Sequence, residues 1–303
     1  MKILSFGDIH ARSENPRSRI GDYCDILFDK IEYGLVLGGA EGCEYVAMPG
    51  DIFQTHRASN YVISRLIKLI KKYNHLKFVG VIGNHDAPFH NLNLDNCPIN
   101  VLESSEALTV LNDKPLKDNC VHFYGASWGE SIPDIQDHTA FNVLLIHKMI
   151  IKSEDEKIWH GQSSYITSRV MLAKNNFNLI IAGDNHQTIL EEYNGKTLLN
   201  MGSLGRMTSS QTKFTPSVAI FDTDKNEYII YKIPIKPAKE VFNLEQIEKN
   251  RETGEINDKI REYVDLLGGN SEMREWDFVK NLDEFIKKHS VKQEVQDIIK
   301  LTL

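Results

Sequence analysis

Short apolar runs alternate with stretches of helical spacing through most of the chain. Residues 2–6, 44–48, 77–82, 121–125, 142–146 and 178–182 are such runs, each closed by glycine or a polar cluster. Their length and β-rich composition predict strands. Between them, residues 18–37 and 59–72 place apolar side chains three and four apart, as in Ile63, Leu66, Ile67 and Ile70. This is the spacing of one helix face, and a chain that alternates strand and helix pairs many of its strands in parallel. From 188 to 235 the helical spacing stops. Four short runs follow, 189–193, 197–200, 217–222 and 228–233, with Asn194-Gly195 as a hairpin turn. They predict a second, antiparallel sheet.

The pattern changes after Pro234 and Pro237. Residues 239–303 are highly charged with helical periodicity: Ile256, Ile260, Tyr263 and Val264, then Phe278, Leu282, Phe285 and Ile286, then Val291, Val295, Ile298 and Ile299. Gly268-Gly269-Asn270 breaks this run once. The chain therefore divides into a main domain, 1–235, and a charged helical module, 236–303. The apolar faces of the module either pack on the main domain or dock a partner.

Composition adds limits. At 303 residues, 41% hydrophobic and 25% charged, collagenous and disordered classes are excluded and a large core is available. No apolar run is long enough for a secretory signal or a membrane span. Cys24, Cys43, Cys97 and Cys120 are scattered without a C-x-x-C pair, so a reducing cytoplasm is the expected setting. Lys and Arg number 35 against 42 Asp and Glu, a net charge of −7. A polyanionic substrate would have to be held by metals, a local patch or a partner rather than by the overall field.

The chemistry sits at the carboxyl ends of the predicted strands, where open α/β sheets place their ligands. The first ends in Gly7-Asp8-Ile9-His10, the second in Pro49-Gly50-Asp51-Ile52-Phe53, the third in Gly83-Asn84-His85-Asp86, a later one in His147, and another in Gly183-Asp184-Asn185-His186. One such cluster is a common accident of helix capping; five at successive strand ends are not. Carboxylate, amide and imidazole donors without thiolate suit Mn, Mg, Fe or Zn. There are enough of them for two ions, the usual device for in-line displacement at phosphorus.

In this order the motifs resemble the calcineurin-like metallophosphoesterases, whose signature is D-x-H, G-D-x, G-N-H-[DE], a lone His and G-H-x-H. The resemblance spans roughly residues 1–235. It implies an α/β four-layer sandwich of two mixed β-sheets flanked by helices. It also implies one metal on Asp8, His10, Asp51 and His186, and a second on Asp51, as bridge, with Asn84, His147 and Asp184. His85 becomes the general acid, with Asp86 orienting it. Asp184 stands where the family has the first His of G-H-x-H. It either ligates, giving a harder and more anionic site that favours Mn or Mg, or supports a ligand from behind.

Within that family, Asp51-Ile52-Phe53 continuing to Gln54-Thr55-His56-Arg57-Ala58-Ser59, and the Gly202-Ser203 turn before Arg206, look most like the SbcD-type DNA repair nucleases. Gln54 stands where many of those carry His. This resemblance implies a Mn-dependent exonuclease or endonuclease that cuts phosphodiesters by a dimetal-activated hydroxide in DNA recombination or repair. The implied partners are DNA, an SbcC-type ATPase and a second copy through 59–72. Arg12, His56, Arg57 and Arg206 are the candidate substrate contacts. Lys148, Lys152, Lys157, Trp159 and His160 form a basic, aromatic loop suited to single-stranded DNA, although a solvated loop is the simpler reading. Two other functions remain open: a small-molecule or protein phosphoesterase such as a cyclic-nucleotide phosphodiesterase, and a non-catalytic scaffold.

Overall fold

The computed structural model describes residues 1–87, 97–154 and 165–245. The C-terminal helices expected after 245, and Lys157, Trp159 and His160, lie outside the described residues. The chain divides into two compact units, Met1–Asn243 and Leu244–Leu303. The strands, helices and strand-end motifs described below all belong to the first.

In chain order its elements begin with β1 (Lys2–Ser5), α1 (Tyr23–Ala40), β2 (Tyr45–Met48), α2 (Asn60–Lys72), β3 (Lys77–Gly80), α3 (Pro98–Ser104), β4 (Thr109–Val110), β5 (Leu116–Asp118), β6 (Val121–Ala126) and β7 (Phe141–His147). They continue with β8 (Ile150–Ile151), β9 (Ile166–Thr167), α4 (Ser168–Lys174), β10 (Leu179–Gly183), β11 (Ile189–Tyr193), β12 (Lys196–Asn200), β13 (Ser217–Asp222), β14 (Glu227–Lys232) and α5 (Ala238–Val241). Two six-stranded sheets result, ordered β14-β13-β1-β2-β3-β4 and β11-β12-β10-β7-β6-β5. Both are mixed. Strands β1 to β4 pair in parallel and β13 and β14 join antiparallel; β6, β7, β10 and β12 pair in parallel, with β5 and β11 antiparallel at the edges.

The central strands are apolar on both faces, as sheets covered on both sides require. Ile3, Tyr45, Ala47, Val79 and Phe221 of one sheet pack with Phe123, Val143, Leu145, Leu179 and Ile181 of the other. The alternate residues Leu4, Val46, Met48 and Phe78 face α1 and α2 through Leu27, Ile31, Leu35, Leu66 and Ile70. On the far side Leu144, Ile146 and Ile180 pack on Met171 and Leu172 of α4. This is the four-layer α/β sandwich. The separate antiparallel sheet expected from 188–235 does not form. Its hairpin β11-β12 extends one mixed sheet and β13-β14 extends the other, because hydrophobic alternation specifies a strand but not its partner.

Local chemistry sets the helix starts. Ser59 caps α2, accepting from Val62 N, and Asp22 caps α1, accepting from Asp25 N at 2.9 Å. The first helix therefore begins after 22, not at 18. The residues before it are engaged elsewhere: Ile20 N donates to Val241 O and Asn243 N to Ser18 O, with a bridge between Arg19 and Phe242. These bonds carry the first unit past Pro234 and Pro237 to Asn243. Among the described residues no helix is long and apolar enough to cross a membrane.

Candidate metal centre

The parallel strands deliver their carboxyl ends to one place. Asp8 follows β1, Asp51 follows β2 and Asn84-His85 follows β3, while His147 ends β7 beside Gly183 of β10 in register. Loop hydrogen bonds lock the ends together: Ile9 N and His10 N both donate to Asp51 O, and Asp8 N donates to Gly202 O. His10, Asp51 and Asp184 hold positive φ of 51, 46 and 85°. For residues with a Cβ this is a costly conformation, sustained only where the surroundings fix it.

Two sets of donors converge. Around Asp8 and His10, His10 Nε2 lies 3.0 Å from His186 Nε2 and 3.5 Å from Asp51 Oδ2, and His186 Nε2 lies 3.7 Å from Asp8 Oδ2. His147 Nε2 stands 3.6 Å from the same Asp51 Oδ2 and 3.0 Å from Asn84 Oδ1. Asp51 thus faces both sets. His147 Nδ1 donates to Pro49 O at 2.8 Å, which turns the Nε2 lone pair toward the carboxylate. Glycine is required beneath this cluster. A Cβ at Gly83 would overlap Asp51 Oδ1, and one at Gly183 would meet Asp8 Oδ1 at 2.5 Å.

The electrostatics match a cation site. Burial and the neighbouring Asp51 and Asp184 carboxylates raise the Asp8 pKa well above the usual range, and burial pushes Asp51 up to about 6. Burial and the other imidazoles hold His10 well below its ordinary value and His186 down to about 4. Acids crowded without a countercharge beside neutral imidazoles are the donor set a divalent ion takes. Asp8, His10 and His186, and separately His10, Asp51 and His85, bring ligand atoms within 4.8 Å of one another. The two groups share His10, so the residues present fit a metal site. Asp184 is partly buried, donates its backbone N–H to Asp8, and has its pKa raised by burial. Its carboxylate acts electrostatically on both His147 and Asp8.

His85 and Asp86 separate. His85 Nδ1 donates to Gln54 O at 2.8 Å, its backbone N–H donates to Asp51 Oδ1 at 2.9 Å, and its ring centroid is 4.9 Å from that of His10. Asp86 is fully buried and accepts from the backbone N–H groups of Ile52, Phe53 and Gly83. Its carboxylate thus pins the second strand-end loop to the third. Of the candidate substrate contacts, Arg12 is half-buried and its charge depresses the His10 pKa. His56 is half-buried and Arg57 exposed. Arg206 is buried, donating to Thr212 O and Lys236 O.

Sequence reasoning did not identify the groups that hold the ligands. Asn200 donates to Asn185 O and accepts from Gly202 N, and Asn185 donates to Ile150 O. Together they fix the loop that carries Asp184 and His186. The carbonyls of Pro49 and Gln54 orient His147 and His85. A backbone carbonyl leaves no sequence signal; the two asparagines lie in or beside the motifs and were open to suspicion.

The chain matches the family model of the calcineurin-like phosphoesterase superfamily domain over residues 1–226. Solved structures similar to it include a protein of Thermus thermophilus, at 13% identity and a TM-score of 0.48, covering 77% of this chain and 99% of that one. Another is described as a novel archaeal phosphodiesterase, at 17% identity and a TM-score of 0.42, covering 77% of this chain and 100% of that one. No curated protein matches. With the ordered strand-end motifs gathered at one centre and the family model covering most of its length, the chain belongs to the calcineurin-like phosphoesterase superfamily.

Proposed function

We propose that this phosphoesterase is a two-metal phosphodiesterase acting on DNA, a Mn-dependent nuclease of the SbcD type that works with an SbcC-type ATPase. The observation that carries the two-metal reading is Asp51 Oδ2, which lies 3.5 Å from His10 Nε2 and 3.6 Å from His147 Nε2. Asp8, His10, Asp51 and His186 would hold one ion; Asp51, Asn84, His147 and Asp184 the other. Two such ions supply water activation and neutralise charge developing on the phosphoryl oxygens.

The chain's own residues do the rest. Acting as the imidazolium, His85 gives its Nε2 proton to the leaving oxygen and keeps the Nδ1 proton that it donates to Gln54 O. Asp86 acts at one remove, by fixing the loops that carry Asp51 and His85. Arg12 and Arg57 lie at the motif ends and supply charge for substrate phosphate. DNA as substrate, the ATPase partner and self-association rest on the resemblance of the 51–59 stretch and the 202–206 turn. The apolar face of the second helix is used inside the molecule: Val62, Leu66, Leu69 and Ile70 are buried in the core.

One observation favours a second reading, a small phosphodiester such as a cyclic nucleotide. With Arg206 buried and a net charge of −7, the chain by itself offers a polyanion little attraction. Turnover of end-labelled single- and double-stranded DNA with Mn, beside cyclic nucleotides and monoesters, decides between the two. The nuclease reading predicts DNA degradation that is lost in His85→Ala and Asp8→Ala. Turnover of small esters with intact DNA, in the presence and absence of the ATPase, overturns it.

A further inference from the structure

A second concentration of charge is buried against the first helix. Arg19, Lys30 and Arg206 line a cavity of about 300 Å³, and only 7, 7 and 3% of their surfaces are exposed. Lys30 Nζ donates to Leu204 O at 3.0 Å. Arg206 donates Nη1 to Thr212 O at 3.3 Å and Nη2 to Lys236 O at 2.6 Å. The Nε atoms of Arg19 and Arg206 are buried with no hydrogen-bond partner. Both guanidinium groups lie against the Phe242 ring, at 5.1 and 5.6 Å. Among the described residues, the one carboxylate in the lining belongs to Asp29, an exposed residue.

Three buried cations facing one another without a paired carboxylate are expensive. Their surroundings show the cost: burial, then the charges of Arg206 and Arg19, bring the Lys30 pKa down to about 7. Burial lowers both arginines as well. None of the metal ligands lines this cavity, so the hydrolytic chemistry does not account for the cluster. A multiply charged oxyanion in the cavity offsets this cost by neutralising the three charges, and the planar guanidinium groups suit phosphoryl oxygens.

We propose that this cavity is a second, non-catalytic site that binds a phosphoryl dianion through Arg19, Lys30 and Arg206. Its ligand is either free inorganic phosphate or the phosphate of a monoester, and the cavity volume admits both.

Calorimetric titration of the full chain stripped of metal tests this, with inorganic phosphate in one arm and a nucleoside 5′-monophosphate in the other. The expected result is one anion per chain. Lys30→Met and Arg19→Gln should each weaken binding roughly ten- to hundredfold, the loss of one charge-assisted contact, whereas His186→Ala in the metal centre should leave it unchanged. Phosphate binding with exclusion of the nucleotide identifies the free ion as ligand; tighter nucleotide binding identifies the ester. Binding of neither anion at millimolar concentration overturns the proposal. So does binding that is abolished by His186→Ala and indifferent to Lys30→Met and Arg19→Gln. The titration needs no turnover, so its result does not depend on which phosphodiester is the substrate.

Discussion

His85 and Asp86 are adjacent in sequence and do different work, because one side chain faces the metal ligands and the other turns into the backbone. Three buried N–H groups depend on the Asp86 carboxylate. Asp86→Ala is therefore expected to lower stability by roughly 3 kcal/mol in urea unfolding, since each orphaned donor costs about 1–3 kcal/mol. His85→Ala should leave stability within about 1 kcal/mol while reducing kcat roughly 10²- to 10⁴-fold. Equal stability losses in the two variants would contradict this division. Lys30 gives a pH prediction. Its pKa is about 7 when folded and about 10.4 in an unfolded chain. The unfolded state then binds more protons between those values, so stability rises with pH across that window; below it both states are protonated and the cost of burial is felt in full. Lys30→Met should be more stable than wild type near pH 7, on the order of a few kcal/mol, and the difference should shrink toward pH 10. A difference independent of pH would refute the assignment. The side chains that converge in the candidate metal centre were readable in the sequence because each lies at or just beyond a strand end. Buried Lys30 and Arg19 were not, since nothing in a charged residue's letter says that the chain will fold over it.

At the scale of elements, the strand ends are where sequence and site meet. Gly83 and Gly183 close the approach between two loops, and any side chain there would strike a ligand carboxylate. Gly83→Ala is expected to keep the far-ultraviolet dichroism of the fold yet weaken metal binding at least tenfold in calorimetric titration, because Asp51 must move. Unchanged affinity would show that the loop yields easily. The long strands and both major helices followed from apolar spacing. The two-residue strands β4, β8 and β9 and the two-turn helices α3 and α4 escaped notice, being too short for any period to show. The partition of β11 to β14 between two sheets also escaped it. Partner choice depends on which buried faces meet, as Ile3 and Phe221 meet Val143 and Leu179 in the shared core.

For the whole molecule, the sandwich places the carboxyl ends of two separate sheets around one centre, and the ions would join them. Asp8, Asp51 and Asn84 come from one sheet, His147 and Asp184 from the other. Ions bound only by the folded arrangement stabilise it by mass action. At about 100 times its dissociation constant for each of two sites, Mn should raise Tm by roughly 10–20 °C over chelator-treated protein, from about 2.7 kcal/mol of linkage per ion. No shift at saturating metal would mean that the sheets do not share the site. The measurement closest to the central claim is the number of Mn ions bound per chain, by elemental analysis and calorimetric titration of wild type, His147→Ala and Asp51→Ala. A shared Asp51 predicts two ions in wild type, one in His147→Ala, and weakened binding of both in Asp51→Ala. One ion in wild type, or two retained in Asp51→Ala, would contradict the two-metal centre.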